Sequence, residues 1–190
     1  MNAAVARAVP APVQGAALVT AGLEPWHALG EEGSAGGTVL AMANFMVVLD
    51  TTIANVSVPH IAGALAVSPA QGTWVITSYS VAEAITVPLT GWLAGRFGAV
   101  RVFVFGMLGF GICSLACGFA PTFGALVLFR VLQGLCGGPI MPMSQTLLMH
   151  IFPKDKAPQA LGIWSMTTVV APIAGPILGG LLSDNVGWHW

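Results

Sequence analysis

Three ionisable residues stand inside long apolar stretches of this 190-residue chain: Asp50, Glu83 and Arg130. A charged side chain near mid-bilayer costs roughly 2.5–3.5 kcal/mol on insertion scales, so such residues face a protein interior or a water-filled path. A carboxyl held between desolvation and a nearby guanidinium can load and release a proton. That makes Asp50, Glu83 and Arg130 the candidates for proton coupling, with a structural ion pair that fixes helix packing as the alternative. Three amides, Asn55, Gln133 and Gln145, are candidates for a substrate path or for hydrogen bonds across helices.

The elements that must carry these residues follow from composition. Hydrophobic residues make up 56% of the chain and charged residues 7%, with mean hydropathy +0.84. A soluble domain carries about 25% charged residues. The expected fold class is therefore an all-α integral membrane bundle, because backbone groups in lipid must be satisfied within the segment and no period-two barrel pattern is present. A net charge of -1 with six scattered basic residues leaves no nucleic-acid footprint. Cys113, Cys117 and Cys136 fall in apolar segments with no acidic or imidazole partner close in sequence. They read as small hydrophobes, and neither a metal site nor a cofactor is expected.

Residues 1–37 are rich in Ala, Gly and Pro and have no sustained hydrophobic period, which predicts a flexible tail and no cleaved signal. The transmembrane bundle is expected over 38–190, with spans at about 38–59, 73–93, 100–120, 123–151 and 161–182. Pro139 and Pro142 predict a bend in the long fourth span. Arg96 and Arg101 lie between spans two and three, and Lys154 and Lys156 between spans four and five, whereas the loops on the other side contain neither Lys nor Arg. Basic loops stay cytoplasmic, so the N-terminus is expected in the cytoplasm of a multi-pass protein. At a rise of ~1.5 Å per residue, Asp50 would lie about 14 Å and Arg130 about 10 Å below the outer helix ends, with Glu83 near the middle of its span. One layer can hold all three.

Span five carries a small-residue stripe at Ala171, Gly175, Gly179 and Ser183, with Pro176 and Gly180 beside it. Such a face lets a second helix approach backbone to backbone. By itself the stripe could serve a homodimer or an internal helix pair.

Four ordered motifs resemble the major facilitator superfamily, in particular its drug:proton antiporter branch with fourteen spans. Leu49-Asp50-Thr51-Thr52-Ile53-Ala54-Asn55-Val56 with Pro59 is similar to that branch's span-one motif, and Gly91-Trp92-Leu93-Ala94-Gly95-Arg96-Phe97-Gly98 with Arg101 resembles the loop motif between spans two and three. Leu128-Phe129-Arg130-Val131-Leu132-Gln133-Gly134 looks like the span-four motif whose Arg is associated with proton coupling, and Gly175-Pro176-Ile177-Leu178-Gly179-Gly180 like the antiporter motif of span five. Gly95 departs from the family's usual Asp, as do Ala99 and Val100 from its basic residues.

The resemblance implies the N-terminal part of a bacterial multidrug efflux permease in the cytoplasmic (inner) membrane. It would exchange protons, its coupling ion, for amphipathic or cationic drug-like compounds by alternating access, with no covalent chemistry. Membrane lipid, the missing C-terminal half, one helix of which would fill the span-five groove, and a membrane-fusion protein are the implied partners. Trp188-His189-Trp190 reads as the approach to a sixth span, so the chain is expected to be a truncated bundle. Two alternatives remain: a regulatory membrane protein that dimerises through the span-five stripe, and an exporter of one specific metabolite.

Overall fold

The computed structural model describes residues 31–185, so most of the expected tail and the Trp188–Trp190 end lie outside the described residues. Seven helices follow in order among them: α1 (Glu31–Ala64), α2 (Pro69–Gly72), α3 (Trp74–Phe97), α4 (Ala99–Gly118), α5 (Phe123–Gly137), α6 (Ile140–Ile151) and α7 (Ala157–Asn185). No strand occurs among the described residues. The chain is an all-α membrane bundle.

Among the described residues, four segments are long and apolar enough to cross a bilayer: Ala35–Ala64, Ala99–Gly118, Phe123–Ile151 and Ala157–Gly180. Helix α3 has the length, at 24 residues, but is interrupted by Thr77, Ser78, Ser80, Glu83, Thr86 and Thr90. Most of those hydroxyls are satisfied at home. Thr77 donates to the Thr73 carbonyl, Thr86 to that of Ala82 and Thr90 to that of Thr86, at 3.0–3.2 Å. A hydroxyl bonded to its own helix needs no water, which lets a polar helix sit in an apolar bundle.

The turns have local causes. Ser68 and Gln71 form a reciprocal capping box, and Pro69 opens the short helix α2. The Thr122 hydroxyl accepts from the Ala125 N–H at 3.3 Å and starts α5. Helices α3 and α4 are separated by Gly98 alone, at φ 87° and ψ 136°, a conformation that side chains disfavour. Span four breaks between Gly137 and Ile140, as Pro139 predicts, since proline cannot donate to the helical ladder. Pro59, Pro88, Pro172 and Pro176 instead lie within continuous helices.

Two expectations need correction. Helix α1 begins at Glu31, within the stretch read as a tail to residue 37. The cause is tertiary: a Cβ at Gly33 would come within 2.7 Å of the Phe152 ring, and one at Gly36 within 3.0 Å of Ile151, so the small residues let α1 run along the end of α6. The span-five stripe also has its partner inside the chain. Ala171 is fully buried, a Cβ at Gly175 would stand 2.5 Å from the Thr52 Cβ, and one at Gly179 would stand 3.4 Å from the Ile53 Cα. Helix α1 fills the groove because its β-branched Thr52 and Ile53 match the missing side chains of α7. Pro176 is exposed and Gly180 has open space around it, so both face away from that contact.

Helix α1 packs along α7 and α6, while α3 and α4 pack on α5. A main core contains Leu40, Val47, Tyr79, Phe110, Ile140, Leu148 and Trp164. A second apolar cluster of Ile61, Val75, Cys117 and Leu126 gathers near the ends of α1, α4 and the start of α5. On the outside, Phe105, Ile112 and Leu115 of α4 are about two-thirds exposed (71%, 66% and 64%), the surface a bilayer solvates.

Replacing Gly175 by Leu should therefore lower the thermal stability of the chain in detergent micelles, by about 1–3 kcal/mol for an overpacked contact. Gly180→Ala should leave the melting curve unchanged, because none of the described residues comes within 4 Å of a Cβ there.

Candidate functional site

Asp50 sits in α1 and Arg130 in α5, 80 residues apart in sequence, and the fold joins them. The Arg130 Nη1 donates to Asp50 Oδ2 at 2.7 Å, with side-chain exposures of 11% and 16%. Gln133 completes the carboxylate: its Nε2 donates to Asp50 Oδ1 at 3.1 Å. The Cys117 thiol in turn donates to Gln133 Oε1 at 3.8 Å. Arg130 and Gln133 share a face of α5 because three residues make nearly one helical turn. Both oxygens of Asp50 are thus held from one helix, and the network runs across three spans.

The reason this contact forms is local. Thr51, Thr52 and Asn55 direct their side chains to carbonyls of their own helix, at 2.7–2.8 Å. Asp50 has no donor on α1 among the described residues and must find one elsewhere. Across the gap, glycines bring α5 close to α3: a Cβ at Gly134 would meet the Tyr79 carbonyl oxygen and approach the Ala82 Cβ to 2.9 Å. That close seating fixes the height at which Arg130 points to α1.

A cavity of about 260 Å³ adjoins the pair. Asp50, Ser57 and Ile61 line it from α1, Phe110, Ser114, Cys117 and Gly118 from α4, and Leu126 and Arg130 from α5. Ile61, Gly118 and Leu126 stand near the helix ends that carry no Lys or Arg, so the cavity reaches from the ion pair toward that end of the bundle. Two buried polar atoms nearby have no partner among the described residues, Arg130 Nε and the Tyr79 hydroxyl. An acceptor entering beside Arg130 would satisfy the first.

The other expected residues are placed as follows. Glu83 is half-buried on α3, and its side chain makes no hydrogen bond or ion pair among the described residues. Its backbone N–H abuts Gly134, one turn or ~6 Å past Arg130 along α5. Glu83 is therefore a neighbour of the pair and not a member of it. Gln133 is fully buried and serves Asp50, whereas Asn55 is exposed and bonds the Thr51 carbonyl. Gln145 is half-buried in α6. None of these three amides lines the cavity. In the loop motif, Gly91 and Gly95 face open space, and Arg96 and Arg101 are exposed at one end of the bundle. No metal-binding cluster occurs among the described residues.

Sequence reasoning missed four polar residues. Asn44 is fully buried and donates to Thr167 and Thr168 of α7 at 3.0 and 2.9 Å. Trp164 is 5% exposed and donates to the Ser144 hydroxyl at 3.2 Å. Cys117, read as a small hydrophobe, is part of the network, and Tyr79 is buried with its hydroxyl beside Gly137. Asn44 was findable, since an amide six residues from Asp50 in the same apolar span calls for a partner too.

A bundle of membrane-length helices closed around an Asp–Arg pair defines a multi-pass membrane protein. The sequence profile of the Major Facilitator Superfamily matches residues 40–190, and the chain belongs to that family. It is 51% identical over 179 residues to the multidrug export protein EmrB of Haemophilus influenzae, covering 94% of this chain and 32% of that one. It is 55% identical over 151 residues to EmrB of Escherichia coli (80% and 30%). Identity to the fatty acid resistance protein FarB of Neisseria gonorrhoeae is 58% over 151 residues (80% and 29%). The chain thus spans less than a third of the length of these relatives. A crystal structure of a bacterial homolog to the human lysosomal transporter Spinster, inward-facing and unoccupied, aligns with TM-score 0.72 over 85% of this chain and 36% of that one. At 22% identity, it shares the fold.

Removing one member of a buried pair costs about 3–5 kcal/mol because the other charge is left uncompensated. Asp50→Asn and Arg130→Met should each destabilise the chain by that order in micelle melts, and the double variant by much less than their sum. Additive losses would show that the two side chains do not interact.

Proposed function

We propose that the chain forms the first part of a proton-coupled multidrug exporter of the bacterial inner membrane, with its N-terminus in the cytoplasm. The observation that carries this reading is the Asp50–Arg130–Gln133 network, which keeps a carboxylate inside the bilayer beside a cavity. Support for export comes from relatives that are multidrug export and fatty acid resistance proteins. Substrates would be amphipathic or cationic compounds, and the FarB likeness adds amphipathic acids.

In this reading a proton arriving at Asp50 neutralises the carboxylate and loosens its hold on Arg130 and Gln133. The released guanidinium then has reason to move or to take a new acceptor. Loading and release of the proton so become linked to the fit between α1 and α5. With the basic loops in the cytoplasm, the cavity extends from the pair toward the outer face and gives protons an entry on that side. A potential of 100 mV contributes ~2.3 kcal/mol per charge moved, which sustains about a 50-fold concentration ratio. Glu83, whose backbone abuts Gly134 one turn from Arg130, would be a second proton carrier or would tune the first. No covalent step is needed. The rest of the transport path, and any membrane-fusion partner, would come from parts of the protein beyond this chain.

The regulatory-dimer reading loses its main support, because α1 occupies the Ala171, Gly175 and Gly179 face.

In the complete transporter, Asp50→Asn should reduce proton-driven efflux of a cationic dye at least tenfold, with normal membrane insertion. Asp50→Glu should retain a measurable part of it. Undiminished efflux in Asp50→Asn would sink the proposal.

A further inference from the structure

A second cavity, of about 450 Å³, lies apart from the ion pair between α3, α4 and the α5–α6 break. Its walls are apolar: Leu93 and Phe97 from α3, Phe105 from α4, Leu135 and Pro139 from span four. Arg101, on the first turn of α4, stands at one edge. We propose that this groove binds an anionic phospholipid of the phosphatidylglycerol or cardiolipin class, with its phosphate on Arg101 and an acyl chain between Phe97, Phe105 and Leu135.

Three observations carry this assignment. The first is charge. Arg101 is exposed and has no carboxylate partner among the described residues, and Arg96 lies on the last turn of α3 across the Gly98 turn. Two guanidiniums with no carboxylate partner among the described residues thus sit at the end of the bundle that also carries Lys154 and Lys156. Basic pockets between helices at that level attract anionic head groups.

The second is the polarity gradient. Phe105 follows Arg101 by one helical turn, ~6 Å deeper into the hydrocarbon, Cys136 stands beside Gly106 beyond it, and Leu135 lines the same wall. Charge at the rim and apolar walls below reproduce the profile of a phospholipid. The third is the direction of the mouth. Phe105 is 71% exposed and shares its face of α4 with exposed Leu108, Ile112 and Leu115, so the groove opens onto the surface that meets lipid. Gly106 allows its depth: a Cβ there would stand 3.0 Å from the Cys136 carbonyl oxygen, so α4 and α5 close tightly beneath the groove. The assignment is independent of proton coupling, because it uses no residue of the Asp50 network.

The test is native mass spectrometry of the purified chain with equal amounts of phosphatidylglycerol and phosphatidylethanolamine. One phosphatidylglycerol should be retained about tenfold more than phosphatidylethanolamine. Arg101→Gln, an exposed change that leaves the melting curve unaltered, should abolish that preference, and Leu135→Trp, which fills the groove, should lower retention of both. Equal retention of the two lipids, or an undiminished preference in Arg101→Gln, would overturn the proposal. In cell membranes, a photo-crosslinker at Leu135 of the complete protein should yield a phospholipid adduct. A crosslink to another segment of the protein would identify that segment as the occupant and end the lipid assignment.

Discussion

A carboxylate cannot remain charged and unpaired in hydrocarbon, and that constraint at Asp50 organises much of this bundle. Helix α1 packs against α7 and α6 but not closely against α5, so the ion pair and the Gln133 bond tie α1 to α5 where apolar packing does not. Everything that fixes the height of Arg130 serves this tie: the Thr122 cap that starts α5, the seating of Gly134 on the Tyr79 turn and the approach of Gly138 to Glu83. A polar link of this kind is directional, whereas apolar packing tolerates sliding. It sets the register between helices as well as holding them together.

The small residues act as the complement of the charges. In lipid there is little hydrophobic drive for helices to associate, so backbone proximity and side-chain fit must do more. Gly175 and Gly179 receive Thr52 and Ile53, two and three residues beyond Asp50 on α1. The same short segment that presents the carboxylate to α5 therefore anchors α1 on α7. Asn44 strengthens that anchor with two hydrogen bonds to Thr167 and Thr168. Glycine on one helix and a charge on another converge on the placement of a single turn.

Much of this was legible in the sequence. Asp50 and Arg130 stand out because charges are so sparse in apolar segments, and the Pro139 break and the motif order needed no coordinates. What could not be read was pairing. The stripe of Ala171, Gly175 and Gly179 announces close packing but not the identity of its partner, since any β-branched helix would fit. Glu83 looked equivalent to Asp50 because depth along a helix was computable and rotation about it was not. Gln133 was visible as an amide, but only the fold aims it at the carboxylate, and the hydrogen bond of Cys117 has no sequence signature. Helix α1 began early because Gly33 and Gly36 gain from contact with α6 what they lack in helix propensity.

Span four belongs to two neighbourhoods at once. Its first part, α5, packs with α3 and α4, and its second part, α6, packs with α1 as well as α4, with the break at Gly138 and Pro139 between them. The span is thus a lever with its fulcrum inside the bundle. Over the 15 residues of α5, ~22 Å at helical rise, a tilt of about 10° at the break would displace the Phe123 end by about 4 Å. Arg130 lies roughly halfway along that arm, so its bond to Asp50, with that of Gln133 one turn on, opposes at mid-arm a motion that is largest at the membrane face.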